Sequence, residues 1–110
     1  MSFSNEIATY KLYYYGKRAS DADVIAYIYL YDDSNRLLGI VRFYRDGQEI
    51  PDNHSIETYD PKRAFLKMHE RQIDTVVDML RNEKPCKVYY SSPTYAFIYT
   101  GKEPIGEEES

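Results

Sequence analysis

The chain has 110 residues, of which 43% are hydrophobic and 29% are charged, a composition that excludes a disordered chain and fits one globular domain. Its net charge of −4 comes from Glu103, Glu107, Glu108 and Glu109, so residues 1–102 are balanced, with 14 Lys and Arg against 14 Asp and Glu. That balance does not favour a general nucleic-acid binder, and we expect one α+β domain over residues 1–102 and an acidic, flexible tail over residues 103–110.

Three strands are predicted in the first part of the chain. They cover residues 7–15, 24–31 and 37–45, and each shows apolar and polar side chains in alternation. The stretch "DDSNR" predicts a short hairpin loop between the second and third strands, because Asp, Ser and Asn bond their own backbone in turns. Asp46-Gly47 predicts the turn that ends the third strand.

A long helix is predicted from Asp60 to the residue before Pro85. Asp60 suits a helix cap, Pro61 suits the first turn, and apolar residues at helical spacing between Phe65 and Leu80 form one face. Two further strands, 86–91 and 95–100, flank a turn at Pro93. The order βββ-α-ββ predicts an α+β two-layer domain, with a mainly antiparallel five-stranded sheet and one long helix packed on one face.

Tyrosine is the unusual feature of the composition, since the chain has 13 Tyr and no Trp. Strict alternation along the predicted strands puts many of these tyrosines on the side of the sheet that faces away from the helix. The predicted tyrosine face consists of Lys11, Tyr13, Tyr15, Tyr27, Tyr29, Tyr31, Arg42, Tyr44, Lys87 and Tyr89, and it contains no carboxylate. A face of this size exceeds what monomers usually leave exposed, so we expect a cover on it.

Three covers are possible for the predicted tyrosine face. The segment 46–60 and the chain ends can fold over it, a second copy can pack against it, or single-stranded nucleic acid can stack on its rings. The enrichment in Tyr and Arg favours the second copy. The sequence therefore predicts a small non-enzymatic interaction module that forms a homodimer through this face, with nucleic-acid binding as the alternative.

A second alternative is an enzyme or small-ligand pocket around His69 and Gln72. Both residues fall within the apolar arc of the predicted helix, where a histidine is either a satisfied core residue or a base at the floor of a pocket. His54, Asp52, Asn53 and Glu57 match no defensible metal spacing, and the scattered glycines form no phosphate-binding loop. We predict no catalytic residue beyond that pair, no metal and no cofactor.

The expected location is the cytoplasm. No apolar run approaches the ~18 residues that a membrane-spanning helix needs, and the N-terminal segment lacks a signal-peptide core. Cys86 is the only cysteine, so it cannot form an internal disulfide and is expected to be a buried thiol. We predict no membrane partner.

Overall fold

The structure is a computed structural model that describes residues 2–16 and 23–101. The predicted acidic tail, residues 103–110, lies outside the described residues. The described chain forms β1 (Phe3–Ile7), β2 (Thr9–Tyr14), β3 (Val24–Tyr31), β4 (Leu37–Tyr44), β5 (His54–Ile56), β6 (Arg63–His69), α1 (Ile73–Asn82), β7 (Cys86–Ser92) and β8 (Tyr95–Thr100). A 3₁₀ turn, Glu70–Gln72, leads directly into α1.

The strands form two sheets, which confirms the α+β class but corrects the predicted single sheet. A three-stranded sheet has the order β1-β7-β8, and a five-stranded sheet has the order β2-β3-β4-β6-β5. The five-stranded sheet is mixed, because β4 and β6 run parallel. The predicted first strand, residues 7–15, corresponds to β2, which pairs with β3; β1 was not predicted, and it pairs with β7.

The predicted long helix is wrong over its first half, because Arg63–His69 forms strand β6 between β4 and β5. Ala64, Phe65 and Leu66 are all buried in succession. A strand in the middle of a sheet packs on both faces, and such a short apolar run cannot be distinguished from a helix by periodicity alone. The helical spacing holds only from Ile73, where α1 begins.

One hydrophobic core joins the two sheets and the helix. It contains Ile28, Val41 and Leu66 from the five-stranded sheet, Val88 and Tyr90 from the three-stranded sheet, and Ile73 and Val76 from α1. The three-stranded sheet and the helix therefore share the cover over one face of the five-stranded sheet, and its other face points outward. Within residues 2–16 and 23–101, no helix is long and apolar enough to cross a membrane.

Strands β4 and β6 approach each other closely at Gly39. Gly39 pairs with Ala64 and has a φ of +156°, and a Cβ at this position would overlap the carbonyl oxygen of Ala64. Only glycine fits this approach without moving the backbone. The parallel pairing of the two central strands therefore depends on this residue.

Candidate functional site

The predicted tyrosine face is divided between the two sheets. Lys87 and Tyr89 lie on β7 of the three-stranded sheet. The other members lie on or directly beside strands of the five-stranded sheet: Lys11, Tyr13, Tyr15, Tyr27, Tyr29, Tyr31, Arg42 and Tyr44. The prediction treated these residues as one surface because it assumed one sheet.

Strand register adds residues that the sequence did not assign to this surface. Ile40 pairs with Phe65, which in turn pairs with His54, and Arg42 pairs with Lys67. We call this outward surface the cationic face; it comprises Lys11, Tyr13, Tyr15, Tyr27, Tyr29, Tyr31, Ile40, Arg42, Tyr44, His54, Phe65 and Lys67. Phe65 and Lys67 were missed because β6 was predicted to be helical, and His54 because β5 was predicted to be a loop.

The aromatic rings of the cationic face contact one another. Tyr13 lies 5.3 Å from Tyr29 between ring centroids, and Tyr27 lies 6.4 Å from Tyr29 in an edge-to-face arrangement. At the other end of the face, the ring of His54 stacks on Phe65 at 4.6 Å with an interplanar angle of 11°. Burial raises the pKa of Tyr29 above its usual value, and the neighbouring Tyr15 and Tyr13 raise it further.

Arg42 lies between these aromatic groups. Its guanidinium carbon is 5.7 Å from the centroid of Tyr27 and 5.9 Å from that of Phe65. Arg42 forms no ion pair with any carboxylate of the described residues. Among the described residues its charge is supported by ring faces, an arrangement in which the hydrogen-bond donors of the guanidinium suit a further acceptor.

Lys67 and His54 form the second cationic group beside Arg42. Nζ of Lys67 lies 2.8 Å from Nδ1 of His54 and donates a 2.7 Å hydrogen bond to the Asp52 carbonyl oxygen. An ammonium can only donate, so Nδ1 accepts and the proton of the neutral imidazole is on Nε2. Burial lowers the pKa of Lys67, Arg42 lowers it further, and Asp52 opposes this to a smaller extent. The pKa of His54 is also lowered, by burial first and then by Lys67 and Arg42.

The strand positions of the cationic face carry no carboxylate among the described residues. The outward surface of the three-stranded sheet differs in this respect, because Glu6 lies opposite Lys87. We call that surface the neutral face; it comprises Ser4, Glu6, Lys87, Tyr89, Tyr95, Phe97 and Tyr99. Its rings are also packed, with Tyr89 stacked on Phe97 at 4.8 Å.

His69 and Gln72 are hydrogen-bonded neighbours, but only Gln72 lines the groove beside them. His69 ends β6, its backbone N–H donates to Oε1 of Gln72 at 2.9 Å, and its Nδ1 is buried with no hydrogen-bond partner in the described chain. A groove of about 550 Å³ between β6, α1 and β8 is lined by Gln72, Met79 and Phe97, but His69 does not line it. In this groove, therefore, Gln72 alone of the predicted pair is a lining residue, and the role of His69 as a base stays a prediction.

No cluster of His, Cys, Asp and Glu suited to a metal ion occurs within residues 2–16 and 23–101. The searches found no significant match of the chain to a protein-family model, a curated protein or a solved structure. The inference of function therefore rests on the geometry and charge of the two faces.

Proposed function

We propose that this protein binds single-stranded nucleic acid through the cationic face. The observation that carries the proposal is the alternation of aromatic rings with Lys11, Arg42 and Lys67 on strands whose outward positions hold no carboxylate. Stacking rings combined with cations that follow a backbone is the usual composition of a single-strand binding surface.

The geometry gives each group a role. The exposed rings of Tyr13 and His54 lie toward opposite ends of the face, with the half-buried Tyr29 between them, and each offers a surface on which a base can stack. Arg42 and Lys67 pair across β4 and β6, so their charges lie together beside these rings and suit a phosphate group. Burial is the main cause of the lowered pKa values of Lys67 and His54, and the charge of Arg42 lowers both further; an anion bound beside them would oppose this lowering.

The same charges oppose the homodimer that the sequence predicted for this face. A two-fold axis through the face brings Arg42 and Lys67 of one copy toward the same residues of the other. Like charges that meet in a buried interface without carboxylates make the free energy of association less favourable by roughly several kcal/mol. A polyanion therefore fits the cationic face better than a second copy does.

We expect the affinity to be modest, because the chain as a whole carries a net charge of −4. Sequence-independent binding of this kind gives dissociation constants of about 1–100 µM at physiological salt. A cytoplasmic location, where single-stranded RNA is present, is part of the proposal, and the presence of one cysteine in the sequence, Cys86, is consistent with it.

The test is a titration of a fluorescently labelled oligothymidylate with the full chain, followed by anisotropy at a series of salt concentrations. Three or four phosphate contacts predict a plot of log K against log salt with a slope of about −2 to −3 for a single strand. A flat anisotropy signal at low salt would contradict the proposal.

Arg42→Gln and Lys87→Gln form a matched pair of charge removals, one on each face. We expect Arg42→Gln to weaken binding about tenfold and to reduce the salt slope by about 1, because one phosphate contact is lost. Lys87→Gln removes the same charge from the neutral face and should change neither quantity. Equal losses in both variants would mean that net charge alone governs binding, and would exclude the cationic face as the site.

A further inference from the structure

Strand β2 is a free edge of the five-stranded sheet. It is the first strand in the sheet order and pairs only with β3 among the strands of the described chain. A free edge presents backbone N–H and C=O groups that can pair with another strand. Proteins usually protect such edges with short strands, prolines, bulges or charged side chains, whereas β2 has six residues, no proline and one charged residue, Lys11.

The register shows which backbone groups of β2 point to the free side. The Tyr15 N–H donates to the Ile25 carbonyl oxygen at 2.9 Å, so this pair is of the hydrogen-bonded type. The two types alternate in an antiparallel ladder, so the backbone groups of residues 9, 11, 13 and 15 point toward β3. Those of Tyr10, Leu12 and Tyr14 point away from it.

The side chains of β2 are exposed as well as its backbone. Leu12 is 42% exposed, Tyr13 is 45% exposed and Tyr14 is 64% exposed, three successive large apolar residues. On β8, an edge of the three-stranded sheet with the same number of residues, only Tyr95 is exposed. Leu12 and Tyr14 also border a groove beside α1, where Ile73 and Val77 alternate with the charged residues Asp74, Asp78 and Arg81.

We propose that β2 pairs antiparallel with β2 of a second copy, around a two-fold axis beside Leu12. In this register Leu12 meets Leu12 of the second copy, and Tyr10 meets Tyr14 in both directions. All three outward-pointing residues of each strand then form hydrogen-bonded pairs, which gives about six backbone hydrogen bonds. The two five-stranded sheets join edge to edge into one continuous sheet.

The side chains of β2 complement themselves in this register. On the outward face, Lys11 of each copy lies directly opposite Tyr13 of the other, which sets an ammonium against an aromatic ring. On the inner face, the two Leu12 side chains meet, and Tyr14 of each copy lies opposite the ring of Tyr10 of the other. Lys11 is the only charged residue of β2, and this register does not place it opposite its own copy.

Neighbouring registers fit less well. A shift by one residue in one direction centres the axis on Lys11 and sets two lysines opposite each other, which is destabilising. A shift in the other direction centres it on Tyr13 and carries Tyr10 past the end of the partner strand. Strand β5, the other edge of the same sheet, has only three residues and offers too short a ladder.

The first experiment measures the mass of the full chain without nucleic acid, by sedimentation velocity over concentrations from micromolar upward. We expect a dimer, and we expect Leu12→Lys to raise its dissociation constant at least about tenfold, because two charges would meet at the axis. Ile56→Lys is the matched control, since Ile56 is 37% exposed on the opposite edge strand, and it should leave the dimer intact.

The proposal is wrong if the chain is a monomer throughout, if Leu12→Lys leaves the dimer unchanged, or if Ile56→Lys weakens it equally. Leu12→Pro provides a second test. The Leu12 N–H points away from β3, so proline removes an outward donor without removing a bond to β3. Circular dichroism and thermal unfolding show whether each variant keeps its fold, and a folded Leu12→Pro that still dimerises would also overturn the pairing.

Disulfide trapping tests the register itself. Residues in a hydrogen-bonded antiparallel pair have Cα atoms about 5.5 Å apart, within the range that a disulfide spans. Leu12→Cys should therefore link two copies under mild oxidation, while Lys11→Cys and Tyr13→Cys should link only when mixed with each other. Wild-type Cys86 is buried and serves as the unlinked control. Self-linking of Lys11→Cys or Tyr13→Cys in place of Leu12→Cys would overturn this register.

Discussion

The cationic face and the neutral face have similar aromatic content but differ in their charges. Both carry packed rings, with Tyr13 and Tyr29 5.3 Å apart on one and Tyr89 and Phe97 4.8 Å apart on the other. On the cationic face, Arg42 and Lys67 pair across two strands whose outward positions hold no carboxylate, and the nearby Asp52 lies on the preceding loop. On the neutral face, the one cation, Lys87, lies opposite Glu6.

This difference shows that aromatic content and charge carry different information about a sheet surface. Packed tyrosines stabilise the surface of a sheet whether or not they bind a ligand, because each ring buries apolar area against its neighbours. Uncompensated cations are different, since mutual repulsion costs folding free energy that only an anion recovers. The cationic face therefore carries the proposed function, and the neutral face supplies its controls.

The largest effect expected is that of Gly39→Ala, which disrupts the cationic face by separating β4 from β6. The added Cβ overlaps the Ala64 carbonyl oxygen, and the φ of +156° is one that alanine rarely adopts. We expect a loss of about 3 kcal/mol in the free energy of unfolding, measured by urea denaturation.

Gly16→Ala is the control for that change. A Cβ at Gly16 meets no atom within 4 Å, so the substitution should change the free energy of unfolding by less than about 0.5 kcal/mol. If the two variants were equally stable, the close approach of β4 and β6 at Gly39 would be refuted.

The next effect compares one central tyrosine from each face. Tyr29→Leu keeps an apolar side chain of similar burial but removes a stacking surface, so we expect oligothymidylate binding to weaken by about 1–3 kcal/mol. Tyr89→Leu makes the same change on the neutral face and should leave the affinity unchanged. Anisotropy titration of both variants checks this, and a larger loss in Tyr89→Leu would transfer the proposed site to the neutral face.

The smallest effect is the pH dependence of binding through His54. Phosphate binding raises the pKa of His54 from its lowered value, so the complex holds more protons and affinity should rise as the pH falls through about 6.5. Protonation of His54 also removes the Nδ1 lone pair that accepts the hydrogen bond from Nζ of Lys67. We expect a gain of less than about tenfold between pH 7.5 and 5.5.

The stability of the unbound protein should change in the opposite direction. Because the pKa of His54 is lower in the folded chain than its usual 6.5, the unfolded chain takes up this proton first. Stability is therefore complete above pH 6.5 and decreases as the pH falls below it. His54→Gln should flatten the pH dependence of both binding and stability. This variant distinguishes an effect of His54 from one of His69, the only other histidine in the sequence. A binding profile that stays unchanged in His54→Gln would remove this residue from the site.

The sequence predicted the local elements better than it predicted their partners. Val24–Tyr31 and Tyr95–Thr100 begin and end as expected, and the Asp32 side chain accepts from the Ser34 and Arg36 N–H groups in the predicted hairpin loop. These features depend on contacts a few residues apart. The separation of β1 from β2 at Ala8 depends instead on a partner more than 70 residues away, which no local pattern specifies.

The residues of the cationic face could be predicted only in part from the sequence. Strict alternation along β2, β3 and β4 identified the tyrosines of the cationic face, because side-chain direction follows from strand geometry alone. It could not identify Phe65 and Lys67, since the segment around them also fits a helix. Bulges in the pairing of β3 with β4 break the alternation, so Ile25 and Leu38 are buried although strict alternation assigns them to the outward face.

The pairing of β1 with β7 also affects how the chain folds during its synthesis on the ribosome. All strands of the five-stranded sheet lie between Thr9 and His69, so they leave the ribosome before β7 does. Strand β1 is made first but has no partner until β7 appears, and such non-local pairing is slow. The inner side of the five-stranded sheet is therefore uncovered during this interval, and it is then that the nascent chain is most dependent on chaperones.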